Sequence, residues 1–125
     1  MSKQGDFMQD KCMAFSVRIV NLYKYLCKER DEYTMSKQLL RCGTSIGANM
    51  AEAQKAISKN DFLAKIYISL KECSETKYWI ELLYKTEYLD EAGYLSINAD
   101  CVELEKIINS TTKTIVKERN RKINS

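Results

Sequence analysis

The sequence predicts an all-α chain folded as an antiparallel up-down-up-down four-helix bundle. The 125 residues contain no proline and only four glycines, so long helices run uninterrupted while the chemistry of tight turns is scarce. Apolar residues return in steps of three and four along four separate stretches. The links between them are short, which forces successive helices to run antiparallel, and stripes of this spacing pack at shallow crossing angles. A chain with 45% hydrophobic and 30% charged residues has an ordinary globular balance, and this length suits a single domain over 1–125. So small a core leaves room for a partner or for self-assembly to cover more apolar area.

Each element has its own signal. A first helix over about 8–29 carries Met8, Cys12, Phe15, Ile19, Leu22 and Leu26 on one stripe. After the polar connector KERDEYT, a second helix over 34–57 repeats the rhythm at Leu39, Cys42, Ile46, Met50, Ala53 and Ile57, with Thr34 or Ser36 as its cap. Ser58 followed by Asp61 resembles a capping box and opens a third helix over 59–87, striped by Phe62, Ile66, Ser69, Cys73, Thr76, Ile80 and Leu83. The pattern breaks around Gly93. Ser96 or Asn98 then caps a fourth helix over 96–119, with Ile97, Cys101, Leu104, Ile108, Thr111 and Ile115 inward.

Several function classes are excluded by what is missing. The N-terminal MSKQGDFMQDKC has no signal-peptide run and no apolar stretch is long enough to span a bilayer, which predicts a cytoplasmic protein without membrane contact. Five widely spaced cysteines without a C-x-x-C pair signal neither a disulfide framework nor a zinc site, and buried free thiols are expected. The chain has no histidine, so it lacks the usual general base and the nitrogen ligands of a di-iron bundle. No glycine-rich phosphate loop appears. Glu72 and Glu75 would have to act alone, so no enzyme is expected and no cofactor is implied.

Positive charge gathers near the end. The net charge is only +3, but Lys113, Lys117, Arg119, Arg121 and Lys122 are opposed by Glu118 alone. That cluster suits contact with phosphates; it also complements the dipole of a helix C-terminus.

Two stretches carry further chemistry. In RCGTSIGANMAEA, Gly43, Gly47 and Ala51 recur at every fourth position, and each glycine costs a helix about 1 kcal/mol relative to alanine. Small residues so spaced let another backbone approach closely, inside one bundle or between subunits. Beside them Arg41, Ser45, Asn49 and Glu52 form a polar stripe. Its short members can bond backbone groups of a neighbouring helix and its charged members can pair with charges there. Helix three offers such charges in KECSETKYW, at Lys71, Glu72 and Glu75, and the spacing sets Glu72, Glu75, Trp79 and Leu82 on one face. Carboxylates mixed with a tryptophan suit a partly buried contact, either a helix-helix or a subunit interface; the same pattern also fits a surface tryptophan covered by lysine stems.

These two stretches resemble the bacterial four helix bundle proteins, also known as 23S rRNA intervening-sequence proteins because some are encoded within insertions in 23S rRNA genes. The likeness rests on Arg41, Ser45, Ile46, Asn49, Ala51 and Glu52, then on Ser58, Asp61, Phe62, Lys71, Glu72, Glu75, Thr76, Tyr78 and Trp79. Two departures stand out: Ala53 replaces a glycine, and the arginine usual a few positions on is missing around Ala56, with Lys55 and Lys59 nearby. The resemblance implies an antiparallel bundle assembled into a ring-like homopentamer. It extends to accessory proteins of diversity-generating retroelements, which resemble basic pentameric barrels binding nucleic acid and a reverse transcriptase. Together the readings imply a non-enzymatic oligomeric scaffold that binds RNA or DNA through Lys113, Lys117, Arg119, Arg121 and Lys122, joined by Lys55 and Lys59. The alternative is a protein-protein interaction module in which Arg41, Gly43, Ser45, Gly47, Asn49, Glu52, Lys71, Glu72, Glu75 and Trp79 serve docking and nucleic acid is irrelevant.

Overall fold

A computed structural model describes residues 3–124, with side chains placed for 5–118, 120 and 121. Four helices follow one another: α1 (Lys3–Arg30), α2 (Met35–Ala53), α3 (Lys59–Lys85) and α4 (Glu91–Asn124). Each packs on the next, and α4 closes back on α1 along a looser seam, so the helices go round the core in chain order. The result is the four-helix bundle that the periodicity predicts. Among the described residues there is no strand.

The stripes meet along the axis. Phe15, Ile19 and Leu26 from α1, Leu39, Ile46 and Met50 from α2, Ile66, Ile80 and Leu83 from α3, and Ile97, Leu104 and Ile108 from α4 form one buried cluster. A buried side chain of this size contributes roughly 1.5–3 kcal/mol, which is what holds helices of ordinary propensity together. Ser69 and Thr76 lie in the same core because their hydroxyls find backbone carbonyls: Ser69 Oγ donates to Ile46 O across the α2–α3 seam at 2.9 Å, and Thr76 Oγ1 to Glu72 O at 2.7 Å. The loose α1–α4 seam is laced on its outside by Arg18, which bonds Asp100 at 2.6 Å and Ser96 Oγ at 3.1 Å, and by Lys11 to Glu103 at 3.4 Å.

Helix ends depart from the sequence expectations in physically simple ways. α2 stops at Ala53, and Ile57 leaves the core stripe to stand 94% exposed in the link to α3. Neither Thr34 nor Ser36 caps α2 with its hydroxyl. The carboxylate of Glu32 does so, accepting the N–H groups of Thr34 at 3.0 Å, Met35 at 2.9 Å and Ser36 at 2.7 Å. Ser36 Oγ returns the bond to Glu32 O at 2.8 Å. Burial would raise the pKa of Glu32, but the three backbone donors outweigh it and hold the group below the ordinary carboxylate value.

Ser58 caps α3 as expected, accepting from Asp61 N at 3.0 Å, while Asp61 reaches the N–H of Ile57 at 3.2 Å. α3 ends in a left-handed residue, Glu87 at φ 70°, with Glu87 N bonded to Tyr84 O at 3.0 Å and Tyr88 N to Leu83 O at 2.8 Å. That is the two-bond closure of a helix C-terminus normally built on glycine. Gly93 does not break the fourth helix. It lies in the first turn, where Asp90 Oδ1 accepts its N–H at 2.7 Å, so Asp90 caps α4 six residues before the expected Ser96.

Candidate functional site

Two regions gather the residues singled out in the sequence. The first is a clasp on the outside of the α2–α3 seam. Arg41 projects from α2, and its guanidinium reaches Glu72 at 3.5 Å, forms a close ion pair with Glu75, and bonds Gln38 at 3.4 Å. Trp79, one turn beyond Glu75, donates its ring N–H to the same Glu75 Oε2 at 3.1 Å. Below it, Glu52 of α2 pairs with Lys65 of α3 at 3.0 Å. Arg41 therefore meets the expected carboxylates of α3, whereas Glu52 pairs with Lys65 rather than with the expected Lys71.

The short members of that stripe behave differently. Ser45 Oγ donates to Arg41 O at 2.7 Å and Asn49 Nδ2 to Ser45 O at 2.8 Å, both within α2, so neither bridges to the next helix. The cross-helix bond belongs to Ser69, which sequence reading placed in a core stripe without a partner. Gly43 and Gly47 face α1. A Cβ built on Gly43 would meet Ile19 side-chain atoms at 2.8–3.0 Å, and one on Gly47 would meet Cys12 Cβ at 3.2 Å. Ala51 points outward, away from that approach. Lys71 is exposed on α3 and, among the described residues, has no ion-pair partner.

The second region is the end of the bundle where α2 passes to α3 and α4 runs out. Gln54, Phe62 and Ile115 line two adjoining cavities there, of about 310 and 360 Å³. The second also takes in Ile57 and Lys59, which sets the α2–α3 link against the last part of α4. Lys55, Lys59, Lys113, Lys117 and Arg121 are exposed in this region. Asp61 is tied into the α3 cap, and Glu118 is the acid among the α4 cations. The side chains of Arg119 and Lys122 lie outside the described residues.

At the opposite end, Arg30 was not anticipated. It donates to Tyr88 O and Glu87 O at 3.0 Å each and lies 5.3 Å from the Tyr88 ring centre, latching the end of α1 to the α3–α4 turn. Tyr84 and Tyr94 stack alongside at 4.4 Å. No periodic pattern marks such a latch, since both acceptors are main-chain atoms.

The cysteines are unpaired: Cys12, Cys42, Cys73 and Cys101 are buried and Cys27 is partly so. Burial pushes the Cys12 and Cys42 thiols up to about 11, and the Cys73 thiol is raised by its hydrogen bond with Cys101 and by burial. These are poor nucleophiles near neutral pH. Among the described residues no three acidic or cysteine side chains converge as metal ligands do, and no helix is long and apolar enough to cross a membrane.

The family model of the 23S rRNA-intervening sequence proteins matches residues 7–110. The chain belongs to this family. A crystal structure of an S23 ribosomal protein family member of unknown function from Bacteroides thetaiotaomicron VPI-5482 is 52% identical. It superposes with a TM-score of 0.86, covering 88% of this chain and 98% of that one. No curated protein matches the chain. The clasp of Arg41, Glu72, Glu75 and Trp79 lies wholly inside the segment matched to the intervening-sequence proteins, whereas the basic residues from Lys113 onward lie beyond it.

Proposed function

We propose that this intervening-sequence protein is a non-enzymatic, self-associating helical scaffold of the cytoplasm that binds RNA or DNA through the basic end of its bundle. The observation that supports this most is topological: cations far apart in the sequence, Lys55 and Lys59 in the α2–α3 link and Lys113, Lys117 and Arg121 on α4, belong to one end of the molecule. A cluster of exposed cations attracts phosphates and releases their counterions. Assembly into a ring-like homopentamer, as the resemblance implies, repeats that end five times and multiplies a modest charge into a strong field.

Filter binding to single-stranded RNA at rising salt tests the reading. Replacing Lys113, Lys117 and Arg121 together by alanine is expected to flatten the dependence of log K on log salt by about 0.7 for each phosphate that the variant no longer neutralises. Unchanged binding by the triple variant, or no binding even at low salt, overturns it. Light scattering tests assembly separately, with a mass near five times the 14.5 kDa chain expected. Should neutralising the basic end leave function intact while changes at Glu75 or Trp79 abolish it, docking of a protein partner replaces nucleic-acid binding as the role.

A further inference from the structure

From the outer face of α3 we infer a stacking platform for single-stranded nucleic acid, built on Tyr67 and Tyr78 with Lys71 between them; it rests on the nucleic-acid reading above. Tyr67, Lys71, Ser74 and Tyr78 follow at steps of four, three and four, so they share one face of the helix. That face is turned away from the core: Tyr67 is 53% and Tyr78 59% exposed, and Lys71 is exposed as well. Among the described residues neither tyrosine hydroxyl has a hydrogen-bond partner. Neither ring is therefore held in place by its hydroxyl.

The Tyr78 ring is nevertheless held. Tyr78 packs edge-to-face on the half-buried Trp79 with centroids 5.1 Å apart, and Trp79 is fixed in turn by its bond to Glu75. A ring so braced offers a flat π-face at low entropic cost, and every base can stack on such a face whatever its identity.

The electrostatics choose the occupant. Glu52 is paired one-to-one with Lys65 at 3.0 Å and Glu81 with Lys85 at 3.0 Å, while Arg41 offsets one of the two charges of Glu72 and Glu75, which lie on the side of α3 turned to α2 rather than between the tyrosines. Lys71 is left as the unpaired charge between the two tyrosines. The face also begins beside the basic end, since Lys59 opens α3. A strand anchored there by its phosphates can run along α3 over Tyr67 and Tyr78, which are about 16 Å apart at the rise of an α-helix. Basic anchors with interleaved aromatic rings are the recurring design of sequence-tolerant single-strand binders.

Trp79, the one tryptophan of the chain, sits against Tyr78 and supplies a built-in reporter. The full-length protein is titrated with fluorescein-labelled oligouridylate and, in parallel, oligothymidylate, following both label anisotropy and Trp79 emission. Binding is expected to change Trp79 emission. Tyr67→Ala and Tyr78→Ala are each expected to weaken binding roughly five- to a hundred-fold without altering the salt slope, while Tyr78→Phe keeps the affinity. Lys71→Ala should instead flatten the slope by about 0.7. Circular dichroism confirms that the variants, all at exposed positions, remain folded. Binding with unchanged Trp79 emission and indifferent tyrosine variants overturns the platform but leaves the basic end standing; no anisotropy change at low salt removes both.

Discussion

Replacing Glu32 by alanine is expected to lower the stability of the bundle by about 2 kcal/mol, because it strips the N–H groups of Thr34, Met35 and the buried Ser36 of their acceptor. The residue is only 7% exposed, and the N–H groups of Thr34, Met35 and Ser36 all point at its carboxylate. Ordinary caps satisfy one orphan donor with a short side chain from the Ncap position. Here a longer side chain, two residues earlier than the Ncap Thr34, reaches forward and satisfies three, adding a full negative charge at the positive end of the α2 dipole.

The charge makes the effect depend on pH, and its sign is determined. The folded state holds the Glu32 pKa below its ordinary value, so the unfolded chain takes up a proton first as the pH falls. The stabilisation is complete at neutral pH, above the unfolded value near 4.5, and is lost as the pH drops through the lower folded value. Urea denaturation of the wild type, Glu32→Ala and Glu32→Gln at one protein concentration checks this. Glutamine keeps one neutral acceptor, so an intermediate loss is expected at neutral pH, and the gap between wild type and glutamine should close as the solution is acidified below the unfolded value. A gap that stays constant over that range would show that shape, not charge, does the capping.

The contrast between Glu32 and the periodic stripes shows what a sequence discloses. Core positions such as Ile19, Ile46, Ile66 and Ile108 are legible because burial repeats every three or four residues, and a repeat survives a misplaced helix end. Caps do not repeat. Glu32 lies within a polar connector, where its role depends on a single turn of backbone that no pattern records. Asp90 likewise starts α4 ahead of Gly93, whose presence suggests a break. At the clasp, spacing places Arg41, Glu72, Glu75 and Trp79 on faces able to meet, since ion pairs across a seam follow from helix phase. Spacing cannot tell that Ser45 and Asn49 bond back within α2, because a helical carbonyl four residues earlier is always in reach of such side chains. The basic end is half legible. Lys113 to Lys122 stand together in the sequence, while Lys55 and Lys59 join them only once the chain has gone round the bundle.

Gly43 and Gly47 look alike in sequence and are expected to differ sharply when changed to alanine. At Gly43 a new Cβ would lie 2.8, 2.9 and 3.0 Å from three side-chain atoms of Ile19, which is fully buried. A β-branched side chain in a helix has essentially one rotamer, so Ile19 cannot swing clear and the overlap must be relieved by moving α1 from α2. Overpacking of this kind costs about 1–3 kcal/mol, against which the better helix propensity of alanine returns about 1. A net loss follows. At Gly47 the nearest atoms are Cys12 Cβ at 3.2 Å and Ser16 Oγ at 3.3 Å, contacts milder than any at Gly43, so propensity and crowding nearly cancel there. The decisive measurement is a double-mutant cycle. Ile19→Ala alone empties a core position at a cost of about 2–5 kcal/mol, but it also removes all three atoms that Gly43→Ala would strike. The two changes together should therefore destabilise by about 1–3 kcal/mol less than the sum of the singles. Strict additivity would mean that α1 and α2 do not meet as closely as this seam requires, and that the glycine at 43 serves something other than the approach of Ile19.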